Sequence, residues 1–194
     1  PQEKLPEAVA VVNPHRVDCG SQFKDYAGVG VAFKLVCALE GDGEEMLDRY
    51  SDLVALGTLA DVMPLTGENR QLVRAGLRLL NRRSRIGLAA LAEAAGVGGK
   101  VHTSTSAVFT LGPRINAAGR MGAPEKAARL LLSQDQEEAR QLAEEIQRLN
   151  QERQVTEAAI LEQVAASLDA NPAQLSDRVL VLAGENWHHG VVWI

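Results

Sequence analysis

Cysteine is nearly absent from this sequence: Cys19 and Cys37 are the only two in 194 residues. Placed so, they make neither a disulfide framework nor a metal-site spacing, and they read as reduced thiols of a cytoplasmic protein. No apolar run reaches the roughly 20 residues needed to cross a bilayer, and there is no signal peptide, so no membrane partner is expected. Positive charge is not in excess either. The net charge is −5 and the pI near 5.4. That excludes a globally basic DNA-coating protein and leaves any nucleic-acid affinity to local patches. The glycines of "GVGVAF" (Gly28–Phe33) lack the strand-turn context and third glycine of a dinucleotide fingerprint. Internal repeats are missing, and so is an initiator methionine. With its end inside the apolar "GVVWI", the sequence is expected to be a piece of something longer.

What is present supports a real core. Hydrophobic residues make up 46%, and the length fits one or two domains. "AVAVVNP" (Ala8–Pro14) reads as a short buried strand stopped by Asn-Pro. Tyr26–Leu39 is apolar on nearly all sides, as a helix buried over a sheet would be. Leu47, Tyr50, Leu53, Leu56 and Ala60 recur at helical spacing and predict an amphipathic helix that runs out in "DVMPL", because Pro64 disfavours helix at Met63. Further helices are expected over Glu68–Arg82 and Gly87–Ala95, and the Gly- and Ser-rich Gly96–Ser106 reads as a loop or lid.

From Asp135 to Leu168 the pattern is helical without Gly or Pro, as one long helix or two abutting ones. Its apolar ends and the polar middle Asn150–Gln154 fit a helix bridging two domains through solvent. Asn171-Pro172 ends it, and "RVLVLAG" (Arg178–Gly184) then reads as the first strand of a second domain. The expected class is α/β, with a helical middle and a connector helix.

Four groups of residues could carry chemistry. Asp61, in "LGTLADVMPL", places a carboxylate among Leu, Ala, Val and Met, which is costly unless capped, paired or metal-bound. It can equally be a helix-end aspartate bonding local N–H groups. Arg70, Arg74, Arg78 and Arg82 are spaced four apart, with Arg83 and Arg85 beyond, and no acidic residue follows until Glu93. This is a phosphate-tracking face or, as favoured for most of the ladder, a solvated one. "GPRINAAGRM" spreads Arg114, Asn116 and Arg120 through residues with almost no side chain. Helix packing accounts for the small residues but not for the arginines, the side chain best shaped for phosphate. Finally, "GENWHHGVV" sets His188 and His189 on a glycine-bounded loop after the expected strand, a weaker signal for an anionic ligand.

Taken together and in this order, "LGTLADVMPL", "GPRINAAGRM" and "GENWHHGVV" resemble the RecJ family of bacterial single-strand-specific exonucleases, members of the DHH phosphoesterase superfamily. "VAVVNPHR", "FKDYAGVGVAFKL" and the Cys-Gly between them resemble the segment that follows the family's Asp-His-His motif. The resemblance covers essentially the whole chain, and "RINAAGRM" is its most specific piece. It implies the C-terminal part of a parallel-sheet DHH domain over 1–134, a connector helix over 135–170 and the start of a DHHA1 domain over 171–194. It further implies Mn²⁺ or Mg²⁺ in a two-metal site, with Asp61 as one ligand and the remaining motifs expected before Pro1. Arg114, Asn116, Arg120, His188 and His189 would then hold DNA phosphates. The implied activity is hydrolysis of single-stranded DNA from its 5′ end in repair and recombination. A helicase or single-strand-binding protein is a candidate partner, and the expected state is a monomer. The family's glycine stands where this chain has Trp193, and the family's Ser and Arg that help hold the DNA 5′ end lie past the last residue. Two alternatives stay open: a DHH phosphoesterase of short oligonucleotides or cyclic dinucleotides, and a non-catalytic DNA-binding scaffold.

Overall fold

A computed structural model of the chain describes residues 5–192; the Trp193 departure lies outside them. Nine α-helices, a π-helical segment and a 3₁₀ turn are present among the described residues, and there is no strand. The α/β expectation, with its parallel sheet and its first strand of a second domain, is therefore corrected to all-α. Residues 8–14 and 178–184 are irregular, and their valines lie open: Val9, Val12, Val179 and Val181 are all exposed. A strand exists only through a partner that takes up its N–H and C=O groups, and β-branched residues are no substitute for one. Neither segment finds such a partner here.

Helix α1 (Gly28–Glu40) ends at Gly41, whose φ of 77° permits its N–H to reach the Cys37 carbonyl. Without a sheet beneath it, α1 buries only Gly30 and Phe33. Phe33 packs with Met46, Val54 and Leu72 of the next two helices. Helix α2 (Gly43–Ala60) starts at Asp42, whose carboxylate accepts the N–H groups of Glu44 and Glu45. Helix α3 (Gly67–Arg82) lies against it. The two approach so closely at Gly76 that a Cβ there would overlap the Ser51 carbonyl oxygen and the Ala55 methyl. Between α2 and α4 (Ile86–Ala94) stands a buried ion pair. Arg85 Nε donates to Asp52 Oδ2 at 2.8 Å and Nη2 to Oδ1 at 3.1 Å, with a further bond to the Arg49 carbonyl. Arg85 is thus a structural cation and not an extension of the arginine ladder.

The loop after α4 is tied down by Asn81, whose amide exchanges hydrogen bonds with both the N–H and the C=O of His102. Helix α5 (Ser104–Ser106), the π-helical Ala107–Leu111 and α6 (Gly112–Arg120) follow without a break. Helix α7 (Pro124–Leu132) leads to α8 (Gln136–Ala170), a single helix of 35 residues, about 52 Å long at 1.5 Å per residue. Asp135 caps it by accepting the Glu138 N–H at 2.7 Å. Leu91, Leu111, Leu130 and Ile146, one each from α4, the π segment, α7 and α8, are fully buried at the centre of the main core. The 3₁₀ turn Pro172–Ser176 and the short α9 (His189–Val192) complete the described chain.

Candidate functional site

The end of α2 and the end of α6 are built on the same hydrogen-bond plan. After α6, the Gly122 N–H reaches Gly119 and the Ala123 N–H reaches the Ala118 carbonyl at 2.8 Å, with Gly122 at φ 79°. After α2, the Val62 N–H reaches Leu59 and the Met63 N–H reaches Thr58 at 3.2 Å. Both are Schellman closures, which require a residue in the left-handed region. The second uses Val62 at φ 53°, a β-branched residue where glycine belongs, at about 1–3 kcal/mol of backbone strain. That strained turn carries Asp61. Its side chain is exposed, and its backbone N–H bonds Gly57 and Leu59. The neighbouring Ala60 sits against Gly112 at the start of α6, where a Cβ would lie 3.4 Å from the alanine methyl.

Along α6 the small residues divide into two kinds. Ala117 and Ala118 are fully buried, so packing dictates them. Gly119 is exposed, and a Cβ there would meet nothing within 4 Å. It leaves open space beside Asn116 and Arg120, which share a face one turn apart. Arg114 points elsewhere. Six residues separate it from Arg120, about 240° of helix rotation. Its Nε donates to Gln147 Oε1 and its Nη1 to the Thr110 carbonyl, each at 2.6 Å. It therefore ties the π segment to α8, and burial lowers its pKa from the ordinary value.

Asn116, Arg120 and Pro113 form one wall of a groove of about 250 Å³, and Arg153 and Glu157 of α8 form the other. Arg153 Nη1 donates to Glu157 Oε2 at 2.8 Å, while its Nε is buried with no hydrogen-bond partner. Asn150, one turn earlier, is buried with its Oδ1 likewise unpartnered. One face of the middle of the long helix, Asn150, Arg153 and Glu157, is thus turned toward α6, while Gln151, Glu152 and Gln154 stay exposed to solvent, as the polarity of the stretch suggests. The signal was in the spacing: Asn150, Arg153 and Glu157 continue the face of Leu142 and Ile146 at steps of three and four.

The histidine loop packs against the last turn of α6, at the backbone of Arg120. A Cβ at Gly190 would overlap the Arg120 carbonyl oxygen, so the glycine lets the loop dock on the last turn of α6. His188 and His189 stack their rings 5.2 Å apart and 9° from parallel, which adjacent side chains achieve through the turn into α9. His188 Nδ1 accepts the Gly190 N–H at 3.2 Å. Trp187 fastens the loop to α8, donating from Nε1 to Gln163 Oε1 at 2.8 Å. The structure therefore gathers Asn116, Arg120 and the histidine loop, adds Arg153, and turns Arg114 inward. The turn that carries Asp61 follows Ala60, which packs at the opposite end of α6 on Gly112; Gly112 and Arg120 are about 12 Å apart along the helix axis.

A metal is not held by these residues alone. Asp61 is a hard oxygen donor of the kind Mn²⁺ and Mg²⁺ prefer. However, among the described residues no three His, Cys, Asp or Glu side chains converge.

Fold and groove together define a class, an all-helical segment that presents two guanidinium groups and an amide to one cleft, with a pair of stacked imidazoles on the loop docked at the end of α6. No family model matches the chain. It is 39% identical over its whole length to the single-stranded-DNA-specific exonuclease RecJ of Bacillus subtilis, covering 24% of that protein. Over 86% of its length it is 44% identical to RecJ of Thermus thermophilus. It also superposes on the crystal structure of Thermus thermophilus RecJ in complex with Mn²⁺. That match has a TM-score of 0.81 and 39% identity, and covers 99% of this chain and 28% of the other. A crystal structure of exonuclease RecJ bound to manganese matches with a TM-score of 0.74 and 42% identity, over 90% of this chain and 44% of that one. The chain belongs to the RecJ family. It spans 24% of the length of each of these two curated relatives.

Proposed function

We propose that the chain is part of a metal-dependent exonuclease that hydrolyses single-stranded DNA from the 5′ end, in DNA repair and recombination. The observation that carries this reading is similarity to RecJ over the whole of this chain, joined to a groove lined by Asn116 and Arg120 of "RINAAGRM", with the loop of "GENWHHGVV" packed on the Arg120 carbonyl. Arg120 and Asn116 bind phosphate oxygens, Gly119 admits the strand to the helix surface, and His188 and His189, on the loop docked at Arg120, contact a neighbouring phosphate. Arg114, with two donors committed to Thr110 and Gln147, offers its remaining N–H groups. Asp61 would help hold Mn²⁺ or Mg²⁺ together with ligands outside the described residues, and ions bound there would supply the charge that polarises a phosphate and lowers the pKa of water.

The reading also assigns 1–134 to a catalytic unit, 135–170 to a connector and 171–194 to a further domain. It takes the protein to be a cytoplasmic monomer, served by a helicase or a single-strand-binding protein. Digestion of end-labelled oligonucleotides by the full-length protein in Mn²⁺ tests it. Mononucleotide release from the 5′ end of single strands is expected, and the 194-residue chain alone should release nothing. Internal cleavage, 3′ polarity, or a full-length protein inert on single strands would overturn the reading.

A further inference from the structure

Helix α3 carries a cationic surface remote in sequence from the groove. Its inner face, Leu72, Val73, Gly76, Leu79 and Leu80, is buried. The exposed positions after the N-terminal Gly67 are Arg70, Gln71, Arg74, Arg78 and Arg82. No carboxylate is among them. Glu68, partly buried at the start of the helix, is already paired with Lys34 and accepts a hydrogen bond from Tyr26. Among the described residues none of the four arginines forms an ion pair or a side-chain hydrogen bond, whereas Arg16, Arg85, Arg129, Arg140 and Arg153 all do. In a chain of net charge −5, four unneutralised guanidinium groups on one helix face are a local departure from the balance elsewhere. The favourable effect of a cation at a helix C-terminus accounts for Arg82 alone.

From Arg70 to Arg82 the row spans about 18 Å, and each member turns about 40° past the last. Such a row follows a curved line of negative charges and matches no single small anion. We infer that the outer face of α3 is a second contact for the nucleic-acid strand, binding its phosphates without reading bases. This inference rests on the proposal that the protein handles single-stranded DNA, and it adds a surface that the groove residues do not supply.

Fluorescence anisotropy of the 194-residue chain with a labelled oligothymidylate, titrated across salt concentrations, tests it. Each phosphate neutralised on a single strand contributes about −0.7 to the slope of log affinity against log salt. The combined variant Arg70→Gln, Arg74→Gln, Arg78→Gln, Arg82→Gln should therefore have a slope shallower by about 3. It should also bind at least about tenfold more weakly at low salt. The matching Arg→Lys variant should keep most of the slope, and circular dichroism melting should show all these exposed variants folded. Arg120→Gln is the comparison, and should lower the slope by under about 1. If the fourfold Gln variant keeps the parental slope while Arg120→Gln weakens binding, the α3 surface is refuted and the groove reading stands. If the unsubstituted chain binds no DNA, the α3 surface is refuted as well, and the nuclease reading is judged by its own assay.

Discussion

Arg114 and Arg120 sit in one motif, yet they should respond to substitution in opposite ways. In Arg114→Ala two charge-assisted hydrogen bonds at 2.6 Å disappear, each worth about 1.5–3 kcal/mol when made by a charged group. The loss is offset in part, because a guanidinium whose pKa is lowered by burial is itself penalised by desolvation. A net loss of about 1–3 kcal/mol remains, or roughly 2–12 °C in Tm for a chain of this size. Arg120 makes no side-chain hydrogen bond among the described residues and faces the groove. Arg120→Gln should stay within about 0.5 kcal/mol of the parent in stability and lose about tenfold or more in single-strand affinity. Thermal melting by circular dichroism, paired with anisotropy on the same preparations, reads both quantities. An unchanged Tm for Arg114→Ala, or a fall for Arg120→Gln as large as that of Arg114→Ala, would refute this division of labour.

Two other sites give independent checks. His102 is buried with an unpartnered Nδ1, and its pKa is lowered from 6.5, first by burial and then by the Arg83 cation. The unfolded chain therefore binds the extra proton more readily, so this contribution to stability is complete above pH 6.5 and lost as pH falls below it. Tm measured between about pH 5 and 7 should drop more steeply for the parent than for His102→Phe; parallel curves would contradict this. Val62→Gly should relieve the left-handed strain at φ 53° and raise stability by about 1 kcal/mol, and a lower Tm would show that Val62 is held by packing instead.

Much of the helical layout is legible because helix ends are written in local chemistry. Asp42, Gly41, Pro64, Asp135 and Asn171-Pro172 stop or start elements where their side chains and backbone demand it. The sheet was misread because strand formation depends on partners that no local pattern can supply. Residues 8–14 have the right composition and nothing to pair with. For the groove, the one-turn spacing of Asn116 and Arg120 correctly places both on one face. Adjacency groups Arg114 with them, although its rotation around α6 sends it to Thr110 and Gln147. Arg153 reads as part of a polar stretch because periodicity reports the chemistry of a face and not what lies against it. The meeting of Gly190 with the Arg120 carbonyl involves residues 70 apart in the chain, beyond any local signal. Gly76 and Gly87 are of the same kind, each fixed by a carbonyl brought close only in the folded chain.

The proposed metal-binding role of Asp61, on the strained turn after α2, is tested most directly by Mn²⁺-dependent release of nucleotides from single-stranded DNA by the full-length protein carrying Asp61→Ala, with Tm recorded alongside. The exposed side chain makes no hydrogen bond among the described residues, so stability should hold within about 0.5 kcal/mol, while activity should fall by about a hundredfold or more, since a lost metal ligand removes several kcal/mol of transition-state stabilisation. Near-parental activity at saturating Mn²⁺ would contradict that role and leave Asp61 as the C-terminal cap of α2.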